Sequence, residues 1–184
     1  MKILKQDFWE TLISFIISQN NNITRIKNII ARLSMSYGTP IEYDNTIFYL
    51  FPTLEQLKDV TKEDYMKLGC GYRASYLEET VRAYLNEKPV FDGLSYLEAR
   101  EKLLLYKGVG PKVADCILLF GLNYLNAFPV DTWIKKVMER LYLKRSATKS
   151  EIEDFAKNAF KEYAGIAQQY LFYYARENKI KGID

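Results

Sequence analysis

The sequence predicts an all-α fold, and three observations carry that prediction. Apolar residues recur at helical spacing, most plainly at Ile23, Ile26, Ile29, Ile30 and Leu33. Capping pairs recur as well, with Asp7 three residues before Glu10, Ser95 before Glu98 and Thr148 before Glu151. Only residues 42–51 break the helical pattern.

Taken in order, Asp7 opens a helix that runs to about Ser18, and a second covers 22–37 with Gly38 as its stop. Residues 42–51 read either as a short hairpin turning at Asp44 and Asn45 or as loop. Short helices start at Thr53 and Thr61, and a longer one covers 72–86. Ser95 caps the next helix, which 111–122 follows. Helices over 131–143, 148–163 and 165–178 complete the chain.

With 184 residues, 48% of them hydrophobic and 27% charged, the chain is long enough for one domain with a real core. The net charge of +3 is too mild to imply a nucleic-acid partner by itself, although basic residues gather at Lys107 and Lys112 and again at Lys135, Lys136, Arg140, Lys144, Arg145 and Lys149. For the outer members of that second group a solvated helix face is the plainer reading. The absence of histidine removes Ser-His-Asp and Cys-His catalysis and histidine-bound metals. Two cysteines, Cys70 and Cys116, make no four-cysteine metal site, so neither metal nor cofactor is expected. The pair reads as reduced thiols of a cytoplasmic protein, and the apolar run near Leu12 is too short to span a bilayer.

The chemistry gathers in residues 106–116, Tyr-Lys-Gly-Val-Gly-Pro-Lys-Val-Ala-Asp-Cys. This reads as a helix–hairpin–helix over about 95–122, with Gly108, Val109 and Gly110 forming a tight turn whose backbone can grip a phosphate. Pro111 suits the first helical position. Lys112 is the second residue of that helix, where the helix dipole works against a positive charge and favours a nucleophilic amine. Lys112, Cys116 and Phe120 are spaced four apart and share one helix face. Plain core packing explains the cysteine and the phenylalanine, but not a lysine on the same face. Asp131 follows Pro129 and Val130 and is expected to cap the next helix, a role compatible with opposing a developing cation. On the last helix Gln168 and Phe172 lie one turn apart, and an amide beside a ring suits a flipped base. Amine, carboxylate and phosphate-gripping hairpin together point to covalent chemistry on a nucleic-acid sugar.

The order Asn-Asn-Asn-Ile-x-Arg-Ile, Gly-Tyr-Arg-Ala, Gly-Val-Gly-Pro-Lys-Val-Ala-Asp-Cys, Pro-Val-Asp and Ala-Gly-x-Ala-Gln resembles the catalytic domain of 8-oxoguanine DNA glycosylases, from Ile3 to Asn178. The resemblance implies two helical lobes around a central cleft, in one domain spanning 1–184. It implies a bifunctional glycosylase and AP lyase of base excision repair that takes 8-oxoguanine from opposite cytosine in double-stranded DNA. The enzyme is expected to be a monomer associated with a prokaryotic nucleoid rather than a membrane. By position, Lys112 matches the Schiff-base nucleophile and Asp131 the essential aspartate. Cys116 and Phe172 match the residues that sandwich the flipped base, and Gln168 the one that reads its edge. Asn20, Arg25 and Arg73 match the trio that holds the widowed cytosine, and Tyr72 the wedge.

Two departures stand out. Trp133 occupies the place of a phosphate-touching histidine, and Ala175 that of the aspartate supporting it. The resemblance also starts after an N-terminal β-rich domain whose carbonyl accepts the N7–H of 8-oxoguanine. The expectation is therefore lyase activity with weaker, less discriminating base excision. A glycosylase for another damaged base and a non-catalytic damage-binding module are the alternatives.

Overall fold

The computed structural model describes residues 3–178. α1 (Phe8–Ser18) starts where the Asp7 carboxylate accepts the Glu10 N–H at 2.9 Å. Thr53, Thr61, Ser95 and Thr148 go further and form reciprocal capping boxes at the heads of later helices. α2 (Ile23–Tyr37) does end at Gly38, but its φ of −80° is ordinary extended backbone. Glycine is needed there for space, because a Cβ would lie 2.0 Å from the Leu50 carbonyl oxygen.

The ambiguous stretch is a hairpin, in which β1 (Pro40–Tyr43) pairs antiparallel with β2 (Thr46–Tyr49) and Ile41 faces Phe48. Asp44 and Asn45 have φ of 50° and 54°, the left-handed pair that a two-residue turn requires. α3 (Leu54–Leu57), α4 (Lys62–Lys67) and α5 (Arg73–Asn86) follow, then α6 (Tyr96–Leu104) and α7 (Pro111–Phe120) on either side of the glycine turn. α8 (Thr132–Met138) starts on Asp131 and widens into a π-helical turn, Glu139–Leu143. α9 (Lys149–Phe160) leads through a 3₁₀ turn, Lys161–Tyr163, into α10 (Ala164–Glu177).

Two main apolar cores result among the described residues. The larger joins α1 to α7 around residues such as Leu12, Ile16, Ile29, Leu77, Leu103 and Ile117, each fully buried. The smaller collects Phe128, Val130, Ile134, Met138 and Ile152, with Phe172 of α10 packed against it. At about 1.5–3 kcal/mol for each large aliphatic side chain removed from water, burial on this scale dominates the stability of both lobes.

α7 is buried almost throughout and carries one carboxylate inward. Asp115 is 1% exposed, which is tolerable only because Arg100 forks onto it at 2.9 and 3.3 Å and the Tyr96 hydroxyl donates at 2.8 Å. Burial pushes the Asp115 carboxyl up, and those donors oppose the shift. Arg100 also reaches Glu153 of α9 at 3.4 Å. The network fixes the rotation of α7, and with it the direction in which Lys112, Cys116 and Phe120 point.

Candidate active site

The turn between α6 and α7 is built by two glycines that act differently. Gly108 has φ of +81°, and a Cβ there would lie 2.4 Å from the Tyr76 ring, so both conformation and space require glycine. Val109 donates its N–H to the Tyr106 carbonyl at 3.0 Å and buries its side chain in the larger core. Gly110 is extended, with φ of −89° and no heavy atom within 4 Å of an added Cβ. Its bareness is therefore useful only to something approaching from outside, at a helix start where backbone N–H groups face a would-be anion.

Lys112 lies two residues into α7, half-buried, with its Nζ 5.5 Å from the centroid of the Phe15 ring. Phe15 in turn stacks on Phe120 at 5.8 Å, so the face of α7 expected from the four-residue spacing rests on one aromatic wall from α1. Cys116 is 5% exposed and belongs to neither core cluster. Burial pushes its thiol up to about 11, against the pull of the neighbouring Lys112 amine, which also hydrogen-bonds it. At neutral pH Cys116 is thus a protonated, polarizable surface and not a nucleophile. The nucleophile available on this face is the amine.

Asp131 arrives from the second lobe. Its Oδ1 accepts the Ile134 N–H at 2.7 Å, so it caps α8, and its charge is close enough to act on the Cys116 thiol. Gln168 is 4% exposed and donates to the Pro129 carbonyl at 3.2 Å while accepting from Gln169 at 2.6 Å. That bond ties α10 to the strand-like approach to Asp131. Phe172, one turn further, is half-buried against the smaller core.

The remaining expected residues form a second group. Asn20 is exposed and left-handed, with φ of 43°. Arg73 is 2% exposed and spends its guanidinium on backbone carbonyls: Gln19 from Nε at 2.8 Å and again from Nη2, Asn20 at 2.9 Å and Cys70 at 3.2 Å. In this arrangement it clamps the turn after α1. Arg25, by contrast, is exposed and makes a single side-chain bond, to the Gly69 carbonyl at 3.0 Å. Tyr72 is 53% exposed at the head of α5, between the Arg73 guanidinium at 4.4 Å and the edge of Tyr76 at 5.9 Å, with its hydroxyl on the Gln19 carbonyl.

The two groups adjoin. Phe15, under Lys112, lies on α1 one turn before Gln19, the residue that ends the helix and the acceptor for Tyr72 and Arg73, about 6 Å along the axis. Tyr76 touches both Gly108 and Tyr72, closing the rim on the other side.

Several contributors lie outside the expected set. Phe15, Tyr76, Arg100 and Asp115 support the site, and Arg32 donates to the Leu68 carbonyl at 2.8 Å. With Arg25 and Arg73 it completes a row in which Leu68, Gly69 and Cys70 each accept from a different arginine. Arg25 and Arg32 are seven apart on α2, a spacing that places them on one face. A carboxylate inside the apolar run 113–120 was likewise a readable sign that Asp115 has a cationic partner. Trp133 and Ala175, the two departures, lie together in one small apolar cluster with Val137 and Leu171. Among the described residues no group of side chains is arranged to hold a metal ion, and no helix is long and apolar enough to cross a membrane.

Residues 13–162 match the family profile described as HhH-GPD superfamily base excision DNA repair protein. A probable N-glycosylase/DNA lyase of Methanothermobacter thermautotrophicus is 35% identical over 95% of this chain and 63% of its own length. The N-glycosylase/DNA lyase of Saccharomyces cerevisiae is 38% identical over 84% of this chain and 45% of its own. Among solved structures, Clostridium acetobutylicum 8-oxoguanine glycosylase/lyase, bound to double-stranded DNA with cytosine opposite 8-oxoguanine, superposes with a TM-score of 0.92. It is 45% identical, covering 97% of this chain and 63% of that one. The chain thus spans less than two thirds of the length of each of these relatives.

Proposed function

This chain belongs to the HhH-GPD superfamily of base excision DNA repair proteins, and from that premise we propose that it is a bifunctional DNA glycosylase and AP lyase that excises 8-oxoguanine opposite cytosine. One observation carries the reading. A half-buried amine, Lys112, stands at the mouth of the glycine hairpin between an aromatic ring and a protonated thiol, with the Asp131 carboxylate near that thiol. The names of the relatives support the same class of reaction.

In this reading the backbone about Gly108, Val109 and Gly110 holds a phosphate beside the lesion, and Tyr72 wedges the duplex open. The flipped base slides between Cys116 and Phe172. Gln168 keeps a second N–H and a second lone pair free for the base edge beyond the bonds it makes to Pro129 and Gln169. Lys112, as the free amine, attacks the deoxyribose C1′; the N-glycosidic bond breaks and its electron pair leaves with the base, which takes up a proton. Asp131 opposes the positive charge that grows on the sugar. Ring opening gives the imine, loss of the C2′ proton expels the 3′ phosphate, and water then releases the lysine. Asn20 and Arg25 sit on the rim where the orphaned cytosine would lie, and Arg73 holds that rim in shape or exchanges its carbonyls for the base. The working place of such an enzyme is the nucleoid of a prokaryotic cell, where it acts as a monomer on duplex DNA.

A panel of duplexes tests this, carrying 8-oxoguanine opposite each of the four bases, other damaged bases, and a pre-formed abasic site. Strand cleavage at 8-oxoguanine, fastest opposite cytosine, is the expected result. Excision confined to another lesion would replace the substrate, and binding without any cleavage would replace the enzyme with a damage-binding module.

A further inference from the structure

The basic run that starts in the last turn of α8 has no part in the site described above. Residues 135–151 hold six lysines and arginines against two glutamates, while the whole chain nets +3, so the excess charge is concentrated in this segment. Lys136, Glu139, Arg140, Lys144 and Arg145 line a concave groove of about 470 Å³.

Two features shape the groove. The π-helical turn ends at Lys144, which is left-handed (φ 55°) and folds its Nζ back onto the Arg140 carbonyl at 2.9 Å. Glu139 serves the scaffold: it accepts the Ala147 N–H at 2.8 Å and the Ser146 hydroxyl at 3.2 Å, which lowers its pKa and pins the returning loop. Lys135 and Arg145 have acid partners at 3.7 and 2.7 Å, whereas among the described residues Arg140 and Lys144 have no carboxylate partner. A helix end favours a nearby cation, but that preference does not account for four cations around one hollow.

We propose that this groove is an accessory contact for duplex DNA, taking backbone phosphates away from the reacting nucleotide; the identity of the partner rests on the glycosylase reading. α8 and its π turn link the two places. Arg140 and Lys144 lie nine and thirteen residues beyond Asp131, about 14–20 Å along the axis at about 1.5 Å each, the length of about four to six base-pair steps. Its ligands are therefore phosphates well outside the lesion, on duplex that a short substrate lacks.

Arg140→Gln combined with Lys144→Asn removes both unpaired charges, and asparagine tolerates the left-handed backbone. The salt dependence of binding to undamaged duplexes of about 8 and about 24 base pairs reads the contact, because each neutralised phosphate adds about 0.9 to the log–log slope. The double variant should melt as the parent does, lose about 1.8 from the slope on the longer duplex, and match the parent on the shorter one. An unchanged slope on the longer duplex, or an equal loss on both, overturns the proposal. Undamaged DNA keeps this separate from the catalytic reading: a parent chain that cleaves nothing, with a double variant that still loses slope as described, would refute only the enzyme.

Discussion

Replacing Asp131 by asparagine separates a helix cap from a charge. The Ile134 N–H bond of 2.7 Å needs only an oxygen acceptor, and asparagine caps as well as aspartate. What the substitution removes is the interaction of a charge with the start of α8, about 0.3–1 kcal/mol. Alanine removes the acceptor as well, for a total of about 1–2 kcal/mol. In a chain of this size each kcal/mol moves Tm by about 2–4 °C. Asp131→Asn should therefore melt within about 4 °C of the parent and Asp131→Ala lower still. Catalysis should not follow that order. Both variants lose the charge that opposes the sugar cation, and loss of one preorganised electrostatic group costs about 10²–10³ in rate. Thermal melting and single-turnover cleavage on the same preparations check both halves. If cleavage ranks with Tm, so that Asp131→Asn stays nearly active, capping is the whole role of the residue and the electrostatic argument fails.

The two hairpin glycines should part in the same way. Gly108→Ala carries about 1–2 kcal/mol of left-handed strain before its clash with Tyr76, and should lower Tm by several degrees. Gly110→Ala should melt normally yet weaken duplex binding, read by titration at fixed salt. Both thiols are pushed up to about 11 by burial, so alkylation of the folded protein should be negligible at pH 8 and rise only towards pH 11. Because burial raises these pKa values, the stability gained by burying neutral thiols is complete below the unfolded cysteine pKa and fades as pH climbs through about 11. Arg25→Ala should leave Tm nearly unchanged while relaxing the preference for cytosine by about 1–3 kcal/mol in competing cleavage rates. Arg73→Ala strands the Gln19, Asn20 and Cys70 carbonyls and should cost several degrees of Tm, whatever happens to base preference.

What the sequence made legible was local. The face shared by Lys112, Cys116 and Phe120 follows from helical repeat alone, and the Asp44 and Asn45 turn from their tolerance of positive φ. The place of the stop at Gly38 is legible in the sequence but its cause is not, since that cause is a carbonyl twelve residues away, brought near by the hairpin. The π-helical turn has no periodic signature to separate it from ordinary helix. Long-range partners were out of reach for the same reason. Nothing near Arg73 in sequence says that its guanidinium ends on the Gln19 and Asn20 carbonyls, and nothing near Lys112 points to Phe15. The family resemblance proposed roles for these residues, while the packing that holds them needed the fold.

The central claim is that the Lys112 amine forms the covalent bond, and borohydride trapping addresses it most directly. The parent chain, incubated with 8-oxoguanine duplex and borohydride, should give a stable protein–DNA adduct that maps by peptide mass to residue 112. Lys112→Gln should give none while still binding the duplex and melting as the parent does. An undiminished adduct from Lys112→Gln, or one mapping to any other amine, would contradict the account.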